Sequence, residues 1–217
     1  MSARVYLIGI AGPSGAGKTC LATRLAAELK GTVLGLDRYY RDLSHLSPAE
    51  RDQFNFDTPE ALEHELLMQQ VARLRGGESV DVPRYDFNTH TRIGATTRVR
   101  AGTVVILEGL FTLYWPGLRE SLGTKVYVDM SDDVCLARRT ERDVSERGRT
   151  VESVHSQYAQ TVAPMAQKYV RPTIVHADIT VFGAGSMETE VAQVLAHCRA
   201  RITSPTLKSV AGGSAGR

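Results

Sequence analysis

The first chemical signal is a run of glycines ending in a lysine and a hydroxyl. Gly12, Pro13, Ser14, Gly15, Ala16, Gly17, Lys18 and Thr19 satisfy the phosphate-loop pattern G-x-x-x-x-G-K-[ST] in full. Glycines let backbone N–H groups turn inward and approach phosphate oxygens that a Cβ would obstruct. Lys18 is suited to reach the terminal phosphates, and the Thr19 hydroxyl to bind Mg²⁺. A glycine-rich turn can also join a strand to a helix and bind nothing. Context separates the two readings. Residues 5–10 form an apolar strand running in, and residues 18–29 an amphipathic helix running out, its positive end on the loop.

A bound triphosphate becomes chemistry when other groups surround it. Phosphoryl transfer needs cationic cover, a metal ion, and a carboxylate to orient a hydroxyl nucleophile and take its proton. Asp37 follows a second apolar run at residues 32–36, which puts it at the carboxyl edge of the sheet beside the phosphate loop. An Asp there serves equally well to cap the next turn. Glu108 ends the run at residues 103–107 on the same edge, suited to holding Mg²⁺ through water. Arg138, Arg139, Arg142, Arg147 and Arg149 form the densest basic cluster. Arginine forks bind phosphate oxygens in pairs. Arg139 with Asp143 and Arg142 with Glu146 also stand four apart, as on a solvated mixed-charge helix. Gly148 between two arginines favours a hinged lid.

The elements that must position these groups alternate. Helix starts occur at Ser47-Pro48 and Thr58-Pro59, the latter opening a helix over residues 59–75 that Gly76-Gly77 ends. Residues 79–82, 85–87 and 97–100 are β-prone pieces broken by Pro83, Asn88 and Gly94, a small antiparallel insertion near 79–100. Strands at 125–130 and 178–182 and helices at 131–146, 151–169 and 186–201 complete the pattern. This predicts an α/β fold with a doubly wound parallel sheet, a β insertion and a mobile arginine-rich segment near 138–149. One domain spans residues 1–202, and residues 203–217 read as a disordered tail.

Composition narrows the partners. The 217 residues are 42% hydrophobic and 23% charged with a net charge of +2, too little to argue for nucleic acid or an acidic membrane surface. Cys20, Cys135 and Cys198 match no metal spacing and fit free thiols in a reducing cytoplasm. Cys20 reads as a small packing residue. No apolar run has membrane-spanning length, and no signal-peptide pattern precedes the first strand. The strings Asn-Lys-x-Asp, Asp-x-x-Gly and LSGGQ are missing, and no Asp precedes Glu108. GTPase switches and motor-type ATPases are thereby disfavoured. A compact kinase of a small acceptor remains.

The strings GPSGAGKT, LDRYYRDLSHL, NFDTPEAL, VPRYDFNTHTR, VVILEG, RRTERDVSERGR, QYAQTVAPM and ADITV occur in an order that resembles the uridine kinases (uridine–cytidine kinases), from the phosphate loop to about Phe182. The resemblance implies a P-loop kinase fold: a five-stranded parallel sheet flanked by helices, a β-hairpin over the nucleoside site, and usually a homotetramer. It implies Mg²⁺ with ATP or GTP as donor, and phosphorylation of uridine and cytidine. By the same resemblance Asp37 faces the 5′-hydroxyl, with Lys18, Arg139 and Arg142 in catalysis, and Thr19 with Glu108 serves the metal. Asp57 would hold the ribose hydroxyls; Tyr85, Phe87 and His90 would surround the pyrimidine. Arg139 and Arg149 would lie near the nucleoside and the transferred phosphate, Arg147 in the lid, and Gln157 on the sugar. An acceptor-only carboxylate at Asp57 suits a vicinal diol. Neutral imidazole at His90 can donate to O4 of uracil or accept from N4 of cytosine. Two places depart from the family pattern: Thr58 stands where His is general, and residues 182–186 replace a Pro-Arg-Gly turn. Two other readings stay open, a phosphoribulokinase-like or pantothenate kinase-like enzyme and a non-catalytic nucleotide sensor.

Overall fold

A strand buried on both faces must be apolar throughout, as the runs YLIGIA and VVIL in the middle of this sheet are. The computed structural model describes residues 5–183 and 185–202. In chain order its strands are β1 (Tyr6–Ala11), β2 (Thr32–Gly35), β3 (Val80–Asp86), β4 (Thr91–Val99), β5 (Val104–Glu108), β6 (Thr124–Asp129) and β7 (Ile179–Phe182). Five of them pair in the order β2-β5-β1-β6-β7, every pairing parallel. β3 and β4 form the antiparallel hairpin expected as an insertion. The helices are α1 (Lys18–Leu29), α2 (Pro48–Asp52), α3 (His64–Arg75), α4 (Pro116–Ser121), α5 (Asp132–Arg147), α6 (Val151–Gln157), α7 (Ala163–Met165) and α8 (Met187–Ile202).

Alternation along each strand divides the core into two layers. Leu7, Val105, Leu107 and Tyr127 pack on one face with Leu67, Val71 and Leu74 of α3. Tyr6, Ile8, Ile10, Ile106 and Val128 pack on the other with Leu21 and Leu25 of α1 and Val194 of α8. The sheet is thus covered on both sides, as a parallel sheet requires. Register levels the strand ends: Glu108 stands opposite Ile10 of β1 and Gly35 of β2. The phosphate loop, Asp37 and Glu108 therefore leave the sheet at one edge.

Several elements differ from the sequence reading. The helix expected over 59–75 is interrupted. Pro59–Ala61 make a single 3₁₀ turn, Leu62 is extended and bridges Tyr40, and α3 begins at His64. Backbone bonds from Arg41 N–H to the Ala61 carbonyl (2.9 Å) and from Glu63 N–H to the Tyr39 carbonyl (2.8 Å) consume groups a continuous helix would use. They also staple the segment after Asp37 to the segment after Asp57. Leu36 belongs to a 3₁₀ turn, Leu36–Tyr39, rather than to β2. The helix after Thr150 is wound wide, with π-helical turns at Tyr158–Val162 and Ala166–Val170. β4 is longer than the expected piece, and α4 was not anticipated. Cys20 is exposed, so small-residue packing falls to the buried Cys135 and Cys198 instead. The expected tail at 203–217 lies outside the described residues.

Candidate active site

The donor end is built by the turn from β1 into α1. Gly15 has φ +86°, and a Cβ on it would lie 2.4 Å from the Cys135 carbonyl oxygen. A side chain there is excluded by both conformation and space. Lys18 is buried and its Nζ donates to the Pro13 carbonyl at 2.8 Å. Burial lowers the Lys18 pKa, opposed by the charges of Glu108 and Asp37. The Thr19 hydroxyl donates to Glu108 Oε1 at 3.2 Å. Burial raises the Glu108 pKa and Asp37 adds to the rise, while Lys18 and the Thr19 hydrogen bond oppose it. Asp37 sits on the 3₁₀ turn after β2.

These groups open onto a cavity of about 480 Å³. Ser14, Gly15, Gly17, Lys18 and Thr19 line its donor end, with Asp37 and Glu108 in its wall. Asp57, Tyr85, Phe87 and His90 line it too, as do Arg139, Arg142, Arg149 and Gln157. Three residues of the motif are not in the lining. Of these, Pro13 supports Lys18, Ala16 is buried, and Gly12 follows the end of β1.

Elsewhere in the cavity wall Asp57 is buried and its backbone N–H donates to Asn55 Oδ1 at 3.0 Å. Burial raises its pKa against the lowering effect of Arg139. Two lining residues escaped the sequence reading, Tyr40 and Phe56. Phe56 stacks on His90 with centroids 4.5 Å apart and planes at 21°. Tyr40 meets Phe56 edge-on and Tyr85 at a tilt, each at 5.4 Å. Neighbouring sequence was the available signal: Phe56 directly precedes Asp57, and Tyr40 is three residues past Asp37. Burial lowers the His90 pKa, favouring the neutral ring with one nitrogen to donate and one to accept. The hairpin supplies the aromatic wall through a break in register. Pro83 pairs with Thr96 but Arg84 with Ile93, so the inward phase changes after Val82 and turns Tyr85 towards the cavity.

The roof is α5 and α6. Asp143 has a fully buried side chain paired to Arg139 (3.4 Å), Arg142 (2.9 Å) and Arg147 (3.3 Å). The helix is therefore no solvated mixed-charge face, and Arg142 turns to Asp143 rather than to Glu146. Arg139 also donates to Ser14 Oγ at 3.0 Å and to Gln157 Oε1 at 2.9 Å. Arg149 donates to the same Gln157 oxygen and to Ser153 Oγ. The Arg147 guanidinium lies 4.8 Å from the centroid of Phe87. The segment expected to be mobile is helical through Arg147, and its break is Gly148, with φ 62°.

The chain has counterparts among known proteins. The sequence profile of the Phosphoribulokinase / Uridine kinase family matches residues 7–190. The chain belongs to this family. It is 42% identical over 198 residues to the uridine kinase of Vibrio parahaemolyticus, covering 88% of this chain and 93% of that one. It is 44% identical over 187 residues to the uridine kinase of Shewanella amazonensis, covering 83% and 88%. The fold is shared with phosphoribulokinase from Rhodobacter spheroides at a TM-score of 0.61 and 17% identity, over 83% of this chain and 71% of that one.

Within the family frame, the two departures have local structural duties. Thr58 precedes the Pro59–Ala61 turn in an extended conformation, its carbonyl accepting from Ala61 N–H at 3.1 Å and its hydroxyl donating to the Asn55 carbonyl at 3.5 Å. Gly183 accepts from Arg138 at 3.1 Å, and Ser186 Oγ accepts from Thr189 N–H at 3.2 Å at the start of α8. The donor set also fits a magnesium ion. Among the described residues no group of three or more His, Cys, Asp or Glu could hold a metal alone. A hydroxyl and one carboxylate, Thr19 and Glu108, are what Mg²⁺ uses when phosphates and water supply its other ligands.

Proposed function

We propose that the chain phosphorylates uridine and cytidine at the 5′-hydroxyl, using ATP or GTP, to give UMP and CMP in pyrimidine salvage. One observation carries this reading: a single cavity has a phosphate loop at one end, Asp57 and the His90 stack at the other, and Asp37 in its wall. The names and identities of the two uridine kinases support the choice of acceptor.

Asp57 accepts hydrogen bonds from the vicinal ribose hydroxyls, its acceptor-only carboxylate suited to two at once. Tyr85, Phe87 and Phe56 hold the base, and neutral His90 reads O4 of uracil or N4 of cytosine. Gln157 and Arg149 bind the sugar side. Asp37 orients the 5′-hydroxyl and takes its proton on a carboxylate oxygen as the new O–P bond forms and the bond from the γ-phosphorus to the departing nucleoside diphosphate breaks. Backbone N–H groups of the loop between Ser14 and Lys18 cradle the donor phosphates, and the Lys18 ammonium covers the terminal ones. Arg139 and Arg142, fixed by Asp143, bind the oxygens of the transferred group. Thr19 and Glu108 would hold Mg²⁺, which neutralises charge on those oxygens when bound.

The same reading places the enzyme in the cytoplasm, with no nucleic-acid or membrane partner, as a homo-oligomer of tetrameric form. Among the described residues no helix is long and apolar enough to cross a membrane. Phosphorus NMR of a reaction with uridine and Mg-ATP tests the chemistry. The expected product is a 5′-monoester, with 5′-deoxyuridine inert. Phosphorylation at the 2′- or 3′-position, or none, contradicts it.

A further inference from the structure

Beside the main cavity lies a second one of about 390 Å³. The two share Thr19, Asp37, Glu108, Tyr85, Phe87 and two roof arginines, so they meet at the transfer point. The second extends away from Asp57, His90 and Gln157, towards Gly35 of β2 and the hairpin. Two further arginines line it, Arg38 and Arg84, which the proposed reaction does not use.

Their commitments differ from those of the roof. Arg142 and Arg147 are held by the buried Asp143. Among the described residues Arg38 and Arg84 have no ion pair with an acid, although every other arginine that lines either cavity has a hydrogen-bond or ion-pair partner. Both positions are fixed by backbone. Arg38 follows Asp37 on the Leu36–Tyr39 turn. Arg84 sits at the register break of the hairpin, where a strand irregularity re-aims the side chain. Two guanidinium forks on one cavity offer paired N–H donors that match the oxygens of a phosphate group.

We infer that this second cavity is a phosphate-binding subsite beside the end of the phosphate loop, in which Arg38 and Arg84 grip a phosphate dianion. The ligand class is inorganic phosphate or the terminal phosphate of a monoester such as a nucleotide. The assignment does not depend on which alcohol the enzyme phosphorylates. Because Asp37 and Thr19 border both cavities, an anion held here stands next to the reacting groups without occupying the donor cradle.

The test uses the full chain saturated with Mg²⁺ and a non-hydrolysable ATP analogue, so that the phosphate loop is filled. Inorganic phosphate titrated into this complex by calorimetry should reveal one further site. Arg38→Gln with Arg84→Gln should weaken that site at least about tenfold, as expected for losing hydrogen bonds to a charged group. Each single variant should weaken it by less, and Arg24→Gln should leave it unchanged. UMP and uridine form the second arm. A loss confined to UMP and phosphate assigns the monoester as a ligand, whereas a loss confined to phosphate assigns the free anion. Melting curves of the variants, with the single substitutions as reserve, separate a lost site from a lost fold. No phosphate uptake by the wild-type complex, or uptake that the double variant leaves intact, would overturn the inference.

Discussion

A carboxylate that takes a proton from a hydroxyl must be held near cations without being locked to one. Asp37 meets that condition: it lines the cavity with Lys18, Thr19 and Glu108, while the roof arginines are committed to Asp143. Asp37→Asn keeps the shape and removes the base. It should bind uridine nearly as wild type does while kcat falls about 10²–10⁴-fold. Retained turnover would remove Asp37 from the mechanism. His90→Leu should raise KM for uridine and cytidine about tenfold, the worth of one or two hydrogen bonds, with KM for ATP unchanged. Equal acceptor kinetics would make the Phe56–His90 stack purely structural. Lys18, Thr19, Asp37 and Glu108 were legible because their spacing and strand-end positions have a mechanism, whereas Asp57, Tyr85, Phe87, His90 and Gln157 were reached only through the family resemblance. Tyr40 and Phe56 were not, since an aromatic residue carries no mark distinguishing a cavity wall from core. The burial of Asp143 was also hidden. A helix with arginines at these spacings reads the same whether its acid faces water or protein.

Among the elements, the parallel sheet was the easiest to read, because strands buried on both faces must be continuously apolar. The departures lie where tertiary hydrogen bonds override local preference. The Thr58-Pro59 start is a sound helix signal, yet Tyr39 and Arg41 take the backbone groups of Glu63 and Ala61. The π-helical turns after Gln157 likewise leave no trace in apolar periodicity. The roof helix depends on one ion cluster, which fixes a prediction at this scale. Asp143→Asn leaves three arginines without their buried counter-charge. It should cost about 3–5 kcal/mol of folding stability, read from the urea midpoint, and depress kcat as well. A loss below about 1 kcal/mol, the range of exposed pairs, would contradict the role given to Asp143.

For the molecule as a whole, the site is maintained against stability. Burial raises the pKa of both Asp57 and Glu108 from the ordinary carboxylate value. Between that value and the raised ones, the native state holds more protons than the unfolded chain, so stability falls as pH rises. Their contribution is complete below the unfolded pKa and is lost once pH passes the folded pKa. Ionising either group inside the folded protein therefore costs stability. Asp57→Asn should raise the melting temperature at pH 7 and flatten the stability profile just above the ordinary carboxylate range, while uridine affinity falls. A lower melting temperature at pH 7 would mean that attraction to the charge of Arg139 outweighs desolvation.

The central claim is the identity of the acceptor, and ADP release across a panel of alcohols measures it directly. Uridine, cytidine, deoxyuridine, deoxycytidine, adenosine, guanosine, ribulose 5-phosphate and pantothenate would each be supplied with Mg-ATP. Uridine and cytidine should drive ADP release with the highest kcat/KM, their deoxy forms well below them and the remainder near background. Fastest release with ribulose 5-phosphate or pantothenate, or no stimulation by any alcohol, would contradict the account.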